Sequence, residues 1–263
     1  MAYTLQRRIY ERVDGTNISE FRCDQYLLLM SMCEELGERT ITYTDIQSEA
    51  IRRTLFGANT KADSAVRTIC PILFKFGFLR PYQNASFPAN EFFTPAGKMF
   101  VKVLSALQKT NSLSTMNEEL ENKLSDAKTK AIQLGLLNMS FSKPNHKMWL
   151  LVYALKILGS VNKNVYYYML RAIQEGDSVS DAIEEVEIEP TIADDDYLRE
   201  DGNEMDSTSI GYLLANLKNA GLISDSVDGE YLPTEDFDLF FSLLKETHCE
   251  IPNTYLSLVY ECN

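Results

Sequence analysis

Two histidines, His146 and His248, stand about a hundred residues apart, and neither has a Cys, Asp or His neighbour at metal-ligand spacing. The five cysteines, Cys23, Cys33, Cys70, Cys249 and Cys262, are widely spaced, odd in number and form no CxxC pair. That usage fits reduced thiols in a cytoplasm better than a disulfide framework or a zinc site. No serine is flanked by the glycines of a nucleophile elbow, although chain order alone leaves a Ser-His-Asp assembly open. GxxxxGK[ST] and GxGxxG are both absent. The run "DSVDGEYLPTED" imitates a calcium loop, but its first ligand position falls on Ser224 and Pro233 interrupts it, so a hairpin turn accounts for it better. Asp194, Asp195 and Asp196 offer a divalent ion weak binding, with no base or substrate group placed beside them. The expectation is a non-enzyme with no cofactor and no metal.

Charge is the more informative chemistry. Of the net −13, residues 1–110 contribute +3, from 14 Lys/Arg against 11 Asp/Glu. Residues 111–263 contribute −16, from 11 against 27. Residues 175–206 alone hold 14 acids and one base, Arg199. A global isoelectric point therefore describes neither half, and a nucleic-acid backbone would be attracted to one and repelled by the other. No run of eighteen apolar residues occurs and "MAYTLQRRIYERVDG" has no apolar signal region, so the expectation is a cytoplasmic protein without membrane contact.

The elements that carry these charges are written twice. Val66, Ile69, Leu73 and Phe76 lie 11, 8, 4 and 1 positions before Gly77; Ile210, Leu213, Leu217 and Ala220 lie at the same distances before Gly221. Each set is one face of a helix, and each glycine suits a left-handed cap from which the chain turns into a strand, Phe78-Leu79 or Leu222-Ile223. The returns end at Thr94 and Thr234, each placed to cap another helix, with Pro95 at a first helical position. Asp228-Gly229 marks the second hairpin's turn.

Upstream, "DQYLLLMSMCEELG" to Gly37 and "KMWLLVYALKILG" to Gly159 read as mostly buried first helices. "RTITY" is a short strand, and Thr44 with Gln47 a capping box for a second helix, matched in the second copy by "SVNKNVYYYMLRAI". Tyr166, Tyr167 and Tyr168 cannot all face one core, so at least one is expected to meet the other domain, a partner or solvent. The second copy is 22 residues longer between its first helix and its hairpin, 62 against 40. Residues 175–206 supply that length and read as an insertion, helical at "SDAIEEVEIE" and otherwise a solvated loop. Between the copies, Thr115 and Glu118 offer a capping box for a connecting helix. Its apolar stripe is Leu120, Leu124, Ala127, Ala131 and Leu134, and Gly135 closes it. Two heptads fall short of a coiled coil, so packing on both domains is the plain expectation.

Three helices followed by a β-hairpin, twice, resembles the winged helix-turn-helix superfamily. The resemblance covers most of the chain and rests on Val66, Ile69, Leu73, Gly77 through Leu79 and Phe93-Thr94, with Ile210, Leu213, Leu217, Gly221 through Ile223 and Leu232 through Thr234. It implies a mainly α fold with small β-hairpins as wings, and two winged-helix domains, 1–110 and 146–263, joined by a helical linker, 111–145. These are core and turn positions, and winged helices serve many functions. Tandem pairs occur in transcription regulators, plasmid replication initiators, recognition halves of some restriction enzymes, and acidic accessory subunits of chromosome-condensation complexes that hold other proteins.

In a DNA-reading member, helix three enters the major groove and the wing touches the backbone or minor groove. The resemblance places Lys61, Ser64, Arg67 and Thr68 on the outer face of that helix, with Arg67 reaching a guanine edge and Lys61 a phosphate. Arg52, Arg53 and Arg80 lie nearby in sequence. Pro71, inside the same helix, removes a backbone bond and is expected to bend it. The second copy offers Met205, Thr208, Gly211 and Tyr212 on the equivalent face, none of them basic. Two functions follow from the resemblance: a duplex DNA-binding protein acting in regulation, replication or defence through the N-terminal domain, or an adaptor that binds protein partners through an acidic C-terminal domain. Homo-oligomerisation stays open.

Overall fold

The computed structural model describes residues 18–19, 22–57, 62–80, 86–111, 118–142, 146–193, 208–226 and 228–247. The chain is mainly helical with two small antiparallel two-stranded sheets. It divides into two compact units after Asn138.

The N-terminal unit contains α1 (Cys23–Leu36), β1 (Thr40–Ile41), α2 (Tyr43–Arg52), α3 (Ala62–Lys75), β2 (Phe87–Pro88), a 3-10 turn (Ala89–Glu91), α4 (Pro95–Asn111) and most of α5 (Glu118–Ser142). β1 pairs with β2, Thr40 opposite Pro88 and Ile41 opposite Phe87, and a separate bridge joins Leu79 to Phe93. The strand before α2 thus pairs with the returning arm of the excursion after α3. A stack of aromatic rings fills the space beneath: Phe78 lies on Phe100 at 4.6 Å and Phe87 on Phe92 at 5.6 Å between ring centroids.

The second unit contains α6 (His146–Leu158), α7 (Lys163–Glu175), α8 (Val179–Ile188), a 3-10 turn (Pro190–Ala193), α9 (Thr208–Asn219), β3 (Ile223–Asp225), β4 (Tyr231–Pro233) and α10 (Phe237–Thr247). Its strand arrangement repeats the first. β4 pairs with β3, and Val161, two residues before α7, exchanges backbone hydrogen bonds with Tyr231 of β4 at 3.1 and 2.9 Å.

The glycine-to-threonine correspondence extends to single atoms. Gly77 and Gly221 have φ of 75° and 66°, in the left-handed region that favours glycine. Phe78 N–H bonds back to the Leu73 carbonyl at 2.8 Å, and Leu222 N–H to that of Leu217 at 3.0 Å. The Thr94 hydroxyl donates to the Gly77 carbonyl at 2.8 Å; the Thr234 hydroxyl donates to that of Gly221 at 2.6 Å. Each threonine N–H also bonds the carbonyl of the residue after the glycine, at 3.0 Å in both copies. Thr94 then accepts from Gly97 N–H and caps α4, whereas α10 starts three residues past Thr234, at Phe237.

Several expectations need correction. The capping box of α2 is Thr42 with Asp45, two residues before the expected Thr44 and Gln47. Strand β1 ends at Ile41, so the first free N–H groups of the helix fall where Thr42 can meet them. Asp45 accepts the Thr42 N–H at 2.7 Å, which holds its carboxyl below the usual range. Gly135 does not close the connecting helix: α5 continues to Ser142, with Gly135 buried against the Phe76 ring. A side chain at 135 would overlap that ring, so glycine serves close approach there, not termination. The Thr115 half of its expected cap lies outside the described residues. Among its described side chains Ile132, Gly135, Leu136 and Met139 are buried; of the expected stripe, Leu120, Ala127 and Leu134 are exposed and Leu124 and Ala131 half-buried.

The tyrosines and the insertion correct each other. Tyr166, Tyr167 and Tyr168 are all buried, because α7 is covered on a second side by α8 and the 3-10 turn that follows it. Val179, Ala182, Ile183 and Val186 of α8 are buried, and the Tyr168 hydroxyl donates to Glu185 at 2.6 Å. Ser178 and Asp181 form a complete capping box at the start of α8. The first half of the acidic stretch is therefore core structure with an acidic exterior.

Candidate nucleic-acid interface

The face of α3 that packs inward carries Val66, Ile69, Cys70, Ile72 and Leu73, followed by Phe76 just past its end, all buried, and α2 packs beside it. That periodicity leaves Arg67 and Thr68 exposed side by side. Ser64 lies within α3, but its side chain, like the whole of Lys61, is outside the described residues. α3 runs unbroken through Pro71, which has no N–H to give the Arg67 carbonyl.

Each of the three flanking arginines is held by a carboxylate. Arg52 Nε and Nη2 grip the two Glu49 carboxylate oxygens at 2.8 and 2.6 Å. Arg53 Nε shares Glu49 at 2.7 Å, and its Nη1 reaches Glu35 of α1. Arg80 pairs with Glu91 across the base of the excursion, where its N–H also bonds the Phe92 carbonyl at 2.9 Å. Expectation grouped these arginines with α3 as a positive surface. The structure places each against a carboxylate, and it ties Arg53 into the α1–α2 contact. The missed partners were legible: Glu49 precedes Arg52 and Arg53 by three and four residues, the spacing at which side chains on one helix face meet.

Hydrogen bonds from the two guanidinium groups, Arg52 first and then Arg53, push the Glu49 carboxyl down to about 2. A depressed folded-state pKa contributes stability that is present above the unfolded value, near 4.5, and is lost as pH falls through about 2. Arg52 is exposed and screened by salt, so the contribution is expected to be no more than about 1 kcal/mol. Glu49→Gln should melt earlier than the native chain at neutral pH, and thermal melts in a pH series should show the gap closing between about pH 4.5 and 2. A gap that persists at pH 2 would show that Glu49 acts through packing instead.

In the second unit Gly211 and Tyr212 are half-exposed on α9, while Met205 and the Thr208 side chain are outside the described residues. Lys218 of α9 pairs with Asp225 of β3. Cys23, Cys33 and Cys70 are buried, and burial pushes Cys33 up to about 12, far from a reactive thiolate. Among the described residues no three His, Cys, Asp or Glu side chains gather to hold a metal ion, and no helix is long and apolar enough to cross a membrane.

No family model, no curated protein and no solved structure matches this chain.

Proposed function

We propose that this chain is a tandem winged-helix protein that binds and does not catalyse, and that its N-terminal unit docks on duplex DNA through the outer face of α3. The observation that carries the reading is the exposure of Arg67 and Thr68 on a helix packed against α2 and followed by a strand-pairing excursion. In that geometry the guanidinium of Arg67 is the group able to take a guanine edge bidentately, and Thr68 a neighbouring phosphate or base. The neutralised arginines favour a second reading, in which the units bind other proteins in a DNA-associated assembly. Arg52, Arg53 and Arg80 already have carboxylate partners, and phosphates would have to displace these.

Fluorescence anisotropy of the full chain on random and selected duplexes, across a salt series, separates the two. Binding through several phosphates must weaken steeply as salt rises. Arg67→Ala is expected to cost about 1–3 kcal/mol on a preferred sequence and to relax the preference. Absence of salt-dependent binding, or binding indifferent to Arg67→Ala, would move the weight to the protein-binding reading.

A further inference from the structure

Backbone bonds alone set the register of the excursion after α3. Leu79 bridges Phe93, and Arg80 N–H bonds the Phe92 carbonyl at 2.9 Å. The 3-10 turn is held by Ala89 N–H on the Arg39 carbonyl at 3.0 Å and Asn90 N–H on that of Gly37 at 2.9 Å. These bonds bring Arg80, three residues after Gly77, across from Glu91, three residues before Thr94, and the two side chains form an ion pair. The second unit builds the same junction without it. Ile223 pairs with Pro233 as Leu79 does with Phe93, and the positions matching Arg80 and Glu91 hold Ser224 and Tyr231. The fold therefore does not require the pair. Nor does the pair brace it: the two side chains are 46% and 47% exposed, and an ion pair so open to water and salt adds little stability. Arg52 and Arg53 differ. They share Glu49, whose side chain is only 13% exposed, and Arg53 also reaches Glu35 of α1, so those carboxylates belong to the packing.

What the Arg80–Glu91 pair changes is charge. We infer that Glu91 is a built-in competitor for DNA phosphate, holding the Arg80 guanidinium at the base of the excursion away from the duplex backbone. The inference rests on the DNA-docking reading above and adds its regulation. An arginine already paired with a carboxylate brings no net charge to a duplex, so its docking releases no counterion. A phosphate that takes Arg80 must displace Glu91 and leaves that carboxylate uncompensated beside the DNA. Phosphate contacts carry no sequence information, so the competitor lowers affinity for every duplex alike. Base reading by Arg67 then supplies a larger share of what binding remains.

Fluorescence anisotropy on random and selected duplexes across a salt series tests this with four full chains: native, Glu91→Gln, Arg80→Ala and the double variant. Circular dichroism checks that each is folded. Glu91→Gln should bind both duplexes about fivefold more tightly at low salt, the worth of one released surface ion pair. It should also steepen the slope of log affinity against log salt by about one, the mark of one further phosphate contact. In the Arg80→Ala background the same substitution should do neither. Equal tightening with and without Arg80 would make Glu91 a bare repelling charge and overturns the inference. Salt-dependent binding by the native chain that Glu91→Gln leaves unmoved also overturns it, while the DNA reading stands. Absence of salt-dependent binding by all four chains overturns both.

Discussion

Replacing Gly97 by alanine is expected to destabilise the N-terminal unit by about 3 kcal/mol, the upper end of overpacking costs. Gly97 sits in the first turn of α4, where that helix lies directly on the backbone of Phe78. A Cβ there would come within 2.0 Å of the Phe78 carbonyl oxygen and 2.8 Å of its carbon. Neither atom can swing aside as a side-chain tip would. The same oxygen accepts the Thr94 N–H at 3.0 Å, so moving it breaks the junction between the excursion and α4. Either α4 lifts away from the aromatic stack or the junction opens, and both uncover Phe78 and Phe100. For a unit of this size the loss corresponds to a fall in Tm of about 12 °C. Gly211→Ala is the control: Gly211 is inside α9 with nothing within 4 Å of the added methyl, so the substitution should stabilise the second unit by about 1 kcal/mol. Differential scanning calorimetry of both variants reads the contrast. A Gly97→Ala chain melting within a few degrees of the native one would mean that α4 does not approach Phe78 this closely.

What the sequence disclosed and what it hid divide along a physical line. The helices ending at Gly77 and Gly221, the strands after them and the threonine returns were legible because each is set by local rules: a 3.6-residue period, a left-handed glycine and a hydroxyl at a fixed offset. The exposure of Arg67 and Thr68 followed from the same period. The cap of α2 was misplaced because two Thr-x-x-polar frames overlap, and only the end of β1 decides between them. The covering of α7 by α8 was hidden because acidic residues dominate the segment's composition. Its four buried side chains, Val179, Ala182, Ile183 and Val186, nonetheless stand at helical spacing. Likewise nothing local distinguishes the buried from the exposed positions of a helical stripe, so the exposure of Leu120, Ala127 and Leu134 on α5 required the tertiary structure. The arginine partners are an intermediate case: Glu49 was readable from spacing, whereas Glu35 reaches Arg53 only through the packing of α1 on α2.

That hidden packing reverses what should happen when the acidic stretch is cut out. Read as a solvated insertion, residues 178–204 would be dispensable to folding. With α8 in the core of the second unit, their removal should abolish that unit's cooperative melting. The buried side chains of α8 would be lost, and Tyr167 and Tyr168 would be laid open to water along with the α6 surface α8 covers. Milder changes grade the effect. Ile183→Ala should cost about 2–5 kcal/mol as a core truncation. Glu185→Ala removes the acceptor of the buried Tyr168 hydroxyl and should cost about 1–3 kcal/mol. A cut confined to 195–204 keeps every one of those contacts and removes Asp195, Asp196, Glu200, Asp201 and Glu204 against Arg199, together with Tyr197, Leu198, Gly202 and Asn203. It should leave the melting transition of the second unit in place. The shorter cut also isolates electrostatics in the proposed DNA binding. If the acids screen the N-terminal surface, affinity should rise at low salt, where the Debye length is long, and the two chains should converge at high salt. Loss of the melting transition in the 195–204 cut would show that this stretch too is structural. An affinity unchanged at every salt concentration would remove screening as the reason for its charge, and would leave contact with a protein partner as the better account.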